Sequence, residues 1–229
     1  MSAFPKIVPL VIAALLCSPD SALATDVVGF GGARFKMPVT SLKEVRFKTT
    51  LRQQYDFSCG SAAIATLLTH HYNEPVTEAV VFEYMYATGD QPKIRREGFS
   101  LLDMKRFLKS RGYTADGFNL PLEKLAEANY PAIVLLSEKG YNHFVVVKGI
   151  SKDRVLIGDP AGGTRSVARD TFESMWSSKL LFVIHQGPRK AQFNQLVDWS
   201  AAPTAPVALA LHRNILEHSA IPKHGPGDY

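Results

Sequence analysis

The chain has 229 residues, 46% of them hydrophobic and 21% charged, and its 26 basic and 21 acidic side chains leave a net charge of +5. This describes a globular chain with room for one ordinary domain plus extensions. The basic residues are dispersed, which excludes a nucleic-acid-binding patch and a polybasic membrane-binding run.

Residues 1–24 read as an export signal, with Lys6 in the positive start, a short apolar run over 7–16 and the small-x-small site Ala22-Leu23-Ala24. Cleavage after Ala24 leaves Thr25 first and a periplasmic protein. Cys17 would suit lipid attachment only with a small residue before it, and Leu16 is large. No later run reaches the roughly 18–20 apolar residues of a membrane helix, so the mature chain is expected to lack an integral membrane segment. With Cys17 removed, Cys59 is the remaining cysteine and no internal disulfide can form. A lone thiol in an oxidising compartment is either deeply buried or chemically used.

Residues 25–50 form a mixed lead-in, broken by Gly29, Gly31 and Gly32, with an extended stretch expected over 39–47. A domain is expected over 51–186. Its first helix starts at Cys59 and runs to about Tyr72, stopped by Asn73 and Pro75. A second starts near Thr77 with Val80, Val81, Tyr84 and Met85 on one side. Residues 91–98 read as a charged loop. Ser100 caps a third helix, with Asp103 as the capping-box acid and Gly112 as its end. A strand over 113–118 and a short helix opened by Pro121 follow. The period then becomes extended, with strands over 132–136, 143–150, 155–157, 164–167 and 180–184 and one small helix over 171–176. The short Ser151-Lys152-Asp153 connection makes its flanking strands an antiparallel hairpin. A helical half followed by an antiparallel sheet is an α+β fold. Residues 187–229 read as a tail that holds a short helix, lies along the domain or is mobile, and its removal is expected to spare the chemistry.

Cys59 opens a helix, where unpaired N–H groups and the macrodipole favour a thiolate. The competing reading is a buried, inert cysteine. Thiol catalysis also needs a base, a group that orients the base, and donors for the oxyanion. His143 begins an apolar strand, and Asp159 ends the partner strand of the same hairpin, so the two fall close to cross-strand partners. Gln53, six residues before Cys59, offers a side-chain amide for the oxyanion, and Gln54 serves as well. Taken singly, a strand-start histidine or an Asp-Pro pair is more often structural. Their order along the chain carries the weight.

The run Gln53-x-x-x-x-x-Cys59-Gly60, Gly98-x-Ser100-Leu101-Leu102, Pro131-Ala132-Ile133-Val134, His143-Phe144-Val145-Val146-Val147 and Asp159-Pro160 resembles the bacteriocin-processing, double-glycine leader peptidases over residues 51–185. The resemblance implies a papain-like fold, with Cys59 as nucleophile, His143 as general base and acid, Asp159 as its orienter and Gln53 in the oxyanion hole. Many such proteins carry aspartate where this chain has Ser58, and many are the front end of an ATP-driven exporter. This chain has no Gly-x-x-x-x-Gly-Lys-Ser/Thr loop. It resembles instead the stand-alone peptidase component of bacterial functional-amyloid secretion systems. The expected activity is cleavage after a Gly-Gly type pair in a secreted or amyloid-forming polypeptide, with other secretion-system components as further partners. The alternatives are a non-catalytic binding module using the same cleft, and acyl transfer or amide hydrolysis by the same residues. No cofactor is expected. Nor is a metal site, since His70 and His71 are adjacent on a helix and point apart, and His212, His218 and His224 lie in the tail.

Overall fold

The structure is a computed structural model that describes residues 24–28, 34–38, 40–138 and 140–202. Residues 1–23 of the expected export signal and the tail beyond residue 202 lie outside the described residues. The chain divides into two compact units after Ser41. In the first, β1 (Ala24–Val28) pairs antiparallel with β2 (Arg34–Pro38).

The second unit begins with α1 (Leu42–Phe47), where the sequence suggested extended chain. Lys43, Glu44 and Arg46 are good helix formers, and Glu44 in the first turn and Arg46 in the last suit the macrodipole. Next, α2 (Cys59–Thr66) is buried on every side and passes into a π-helical turn, Leu67–His71. A helix apolar all round belongs in a core. Thr77 caps α3 (Glu78–Thr88) by accepting the Val80 N–H; Val81 and Met85 point inward, while Val80 is exposed.

The expected loop over 91–98 is instead α4 (Gln91–Glu97). Asp90 caps it through the Lys93 N–H, Pro92 stands in its first turn, and the buried Ile94 fastens it to the core. Ser100 and Asp103 form the anticipated capping box of α5 (Leu101–Ser110). Beyond it come β3 (Thr114–Asn119), α6 (Leu122–Ala128), β4 (Ala132–Glu138), β5 (Tyr141–Ile150), β6 (Arg154–Asp159), β7 (Gly163–Ala168), α7 (Arg169–Met175) and β8 (Leu180–Gln186).

The six strands from β3 onward form one antiparallel sheet in the order β3-β8-β4-β5-β6-β7. Side chains alternate across it. Phe144, Val146, Phe182 and Ile184 meet the helical layer of α2, α3 and α5, while Val145, Val147, Leu181 and Val183 meet Leu122, Leu125, Phe172 and Trp176 on the other face. The α+β class is therefore the observed one.

Residues 187–202 lie along this unit and include α8 (Leu196–Ser200). Phe193 is buried in the second core, and the Gln192 and Asn194 N–H groups donate to the His71 and Lys148 carbonyls. Gly149 leaves room for this segment, because a β-carbon there would run into Asn194 and approach Trp199 Nε1 to 3.1 Å. Lys148, fully buried in β5, has Nζ 2.5 Å from Asp198 Oδ1 and donates to the Thr49 carbonyl and hydroxyl at 2.6 and 2.7 Å.

A chain ended at Gly187 would leave that ammonium buried without its counter-charge. Losing one partner of a buried pair costs about 3–5 kcal/mol. Denaturant unfolding of the full and shortened chains should show a loss of this order, partly recovered by Lys148→Met in the shortened chain. Equal stabilities would mean that residues 188–202 contribute nothing to the fold.

Candidate active site

Three segments converge on one end of the sheet. The loop ahead of α2 crosses the turn after β6, where the Gln53 N–H donates to the Pro160 carbonyl at 3.1 Å. The loop closes on itself through Ser58, whose hydroxyl donates to the Tyr55 carbonyl at 2.9 Å and accepts the Tyr55 N–H at 3.1 Å. Ser58 is thus a buried brace for the turn that delivers Cys59. Ser61, one turn on, donates to Glu78 Oε1 at 3.1 Å and fastens the start of α2 to α3. Gly60 is needed for close approach: a β-carbon would stand 2.7 Å from Met104 Cε and 3.1 Å from Phe99 Cβ.

The β5–β6 ladder ends at Val146 and Gly158, which leaves His143 and Asp159 just beyond it on a diagonal. His143 Nε2 lies 3.3 Å from Asp159 Oδ2. The other carboxylate oxygen accepts the Ala161 and Gly162 N–H groups at 2.9 and 3.2 Å. Burial opposes ionisation of Asp159, but the hydrogen bond and charge of His143, with those two N–H groups, outweigh it and lower the carboxyl to about 2. An ionised Asp159 makes Nε2 the donor and leaves Nδ1 as the imidazole's acceptor. Nδ1 is buried and has no hydrogen-bond partner among the described residues.

Cys59, at the start of α2, is 8% exposed. Burial pushes its thiol up, the backbone N–H groups of Phe144, Gly60 and Cys59 itself pull it down, and the Asp159 charge adds to the upward side. The net direction is upward. The expected thiolate at the helix start is therefore corrected: the helix-end donors are present but lose to burial. The Phe144 amide at the sulfur also places Cys59 beside the strand segment that carries His143.

Gln53 reaches the same corner, half-buried, and its side-chain amide donates one N–H to the Tyr55 carbonyl at 3.1 Å. An amide has two such hydrogens, so one remains. Gln54 is exposed.

Further residues at this corner have no signature in the sequence. The Tyr141 ring stacks on the His143 ring, 5.6 Å between centroids and 20° between planes, and its hydroxyl donates to the Asp56 carbonyl at 3.0 Å. Arg165 on β7 donates from Nη2 to Asp159 Oδ2 at 3.3 Å and to Glu138 Oε2 at 2.8 Å. The Tyr141 hydroxyl contact and the Arg165–Glu138 pair join positions far apart in the chain. Tyr55 and Phe57, in the loop ahead of Cys59, and Phe82 on α3 form an aromatic wall with centroids 5.1–5.9 Å apart. Meanwhile His70 and His71 lie away from this corner; His71 Nδ1 is 2.8 Å from the Gln192 carbonyl oxygen.

A helix-opening cysteine beside a histidine and carboxylate on an antiparallel sheet is the layout of a papain-like cysteine peptidase. Residues 47–187 match the Peptidase C39 family, and the chain belongs to that family of cysteine peptidases. It is 41% identical over 168 residues to a protein of Pseudomonas fluorescens named "Probable functional amyloid protease FapD", covering 73% of this chain and 74% of that one. The protein of the same name from Pseudomonas aeruginosa is 38% identical over 180 residues, covering 77% and 80%. The peptidase domain of Streptococcus ComA, a bi-functional ABC transporter, shares the fold with a TM-score of 0.50 and 24% identity, over 60% of this chain and 98% of that domain.

A thiol pushed upward is less ionised at neutral pH than free cysteine, for which the ordinary value is about 8.5. Iodoacetamide should therefore modify Cys59 more slowly at pH 7 than it modifies a free thiol, with the rate still climbing above pH 9. A fast, pH-independent reaction below pH 7 would show a preformed thiolate instead.

Proposed function

We propose that this chain is an exported thiol endopeptidase that cleaves after a small, Gly-Gly type pair in a secreted partner, in support of functional-amyloid secretion or maturation. The observation that carries this reading is the state of His143. One ring nitrogen is held by an ionised carboxylate, and the other is buried with no hydrogen-bond partner among the described residues, while the N–H of the next residue, Phe144, acts on the Cys59 sulfur. A buried acceptor without a donor is costly in a merely structural histidine, and the peptidase reading gives it the Cys59 proton to take.

The chemistry follows from those atoms. His143 Nδ1 takes the Cys59 proton as the sulfur attacks the scissile carbonyl carbon, and the resulting imidazolium is stabilised by Asp159. The oxyanion is assigned to the Cys59 N–H and the second N–H of Gln53. On collapse, His143 returns the proton to the leaving amine and a thioester remains on Cys59. Water then attacks the thioester, giving up its proton to His143; the carbonyl product leaves as an acid and the thiol is restored.

The substrate class is read from the surroundings. Cys59 is nearly covered, which favours residues without side chains at the scissile bond, and the Tyr55, Phe57 and Phe82 wall suits apolar side chains further along a bound peptide. The functional-amyloid setting rests on the names of the Pseudomonas relatives, and export rests on residues 1–24. Among the described residues no helix is long and apolar enough to cross a membrane. One observation favours the second reading, a binding module: the same burial that covers Cys59 also pushes its thiol upward, against ionisation.

The test is cleavage of a polypeptide carrying a Gly-Gly pair behind an apolar leader, with the fragments weighed by mass spectrometry. Cys59→Ala should abolish the cut and retain capture, and persistence of cleavage would sink the nucleophile assignment. Asp159→Asn should slow it by roughly 10²-fold or more, whereas an unchanged rate would reduce Asp159 to a turn residue. Capture without any cut by the unaltered chain would favour the binding module.

A further inference from the structure

Asp159 does not serve His143 alone. Its Oδ2 is 3.3 Å from His143 Nε2 and 3.3 Å from Arg165 Nη2, so a cation and the imidazole compete for one oxygen. The same Nη2 also donates to Glu138 Oε2 at 2.8 Å. Glu138 is the last residue of β4 and pairs with Tyr141 across the tight turn into the strand that bears His143. Behind the imidazole, three charges therefore alternate in sign along Asp159, Arg165 and Glu138.

We propose that Arg165 is a positioning residue for the imidazole. By sharing Asp159 Oδ2 it limits how strongly the carboxylate holds a proton on His143, and Glu138 sets how much of that competition is felt. This rests on the reading of His143 as the acid and base of a thiol peptidase. A general base works best when it neither clings to the proton nor refuses it. An ionised, buried carboxylate acting alone would favour the imidazolium and make the later proton return to the leaving amine harder. Arg165 offsets that pull. Its guanidinium is partly open to water, so the effect is one of tuning.

The remaining groups facing His143 are Tyr141, stacked on its ring; Asp56, whose carbonyl holds the Tyr141 hydroxyl; and Cys59, against the neighbouring Phe144 amide. None of them changes when Arg165 or Glu138 is replaced, which gives the test its sign. Removing the positive charge must strengthen proton binding at His143. Removing the negative charge of Glu138 must weaken it.

The experiment is an NMR titration of the His143 ring in the full chain carrying Cys59→Ala, so that no thiol titrates beside it. With Arg165→Gln the proton should be held roughly threefold more tightly, with Glu138→Gln more loosely by a similar factor, and Arg165→Lys should stay close to the parent. Opposite shifts from the two neutralising variants are expected. A merely structural role would move both the same way or neither, and either result would overturn the proposal. The titration needs no substrate, so it stands apart from the cleavage test: if the Cys59→Ala chain still cut, the peptidase reading would fall while the charge relay would remain.

Discussion

The fold depends on one buried carboxylate. Ionised Asp159 is 5% exposed, and removing a charge from water to that extent is tolerated only when its oxygens are fully engaged. The two N–H groups of Ala161 and Gly162 fix the turn between β6 and β7, His143 fixes the end of β5, and Arg165 reaches in from β7. The carbonyl of the next residue, Pro160, takes the Gln53 N–H and brings in the loop ahead of Cys59. Sheet, turn and helix start are thereby held in one arrangement by the need to satisfy a single side chain.

A second buried charge supports the same corner from behind. Lys148 sits in the strand that carries His143 and holds Thr49, whose neighbour Thr50 bonds to Thr164 on β7 at 2.7 Å. Its counter-ion, Asp198, comes from beyond residue 187, outside the stretch that matches the family. The approach to Cys59 is thus tied to a C-terminal segment that the family match does not include. An apolar pair would fill this space at lower desolvation cost, but it would not demand one partner in one place.

What was legible in the sequence is what local chemistry controls. The capping box at Ser100 and Asp103, the cap at Thr77, the Ser151-Lys152-Asp153 hairpin and the order of Cys59, His143 and Asp159 follow from short spacings or from the period-two pattern of the strands. Some local signals were outweighed in the reading by others. Asp90 followed by Pro92 is a helix start, but the charges after it resembled a loop. Long-range facts left no local trace. Lys148 lies in a run otherwise rich in valine, and nothing near it names Asp198 as its partner. Arg165 looks like an ordinary outward residue of an edge strand until Asp159 and Glu138 are seen on either side of it. The role of Ser58 was hidden because its bonds run to Tyr55, within a loop that has no repeating pattern.

The Cys59 thiol is where a local rule and the folded environment disagree, and the disagreement has a chemical sense. Donors at a helix start favour a thiolate, but their pull is limited to the first turn, whereas desolvation acts on the whole buried group. A thiol that burial pushes away from ionisation is less open to oxidation than a standing thiolate, since susceptibility follows thiolate character and access. Under the proposed peptidase chemistry the nucleophile is generated at the moment of attack, which places the demand on His143 Nδ1 and on the charge balance behind it. Burial of the sulfur and competition for Asp159 Oδ2 are therefore linked: the more costly the bare thiolate, the more the outcome depends on how readily the imidazole accepts a proton and gives it back.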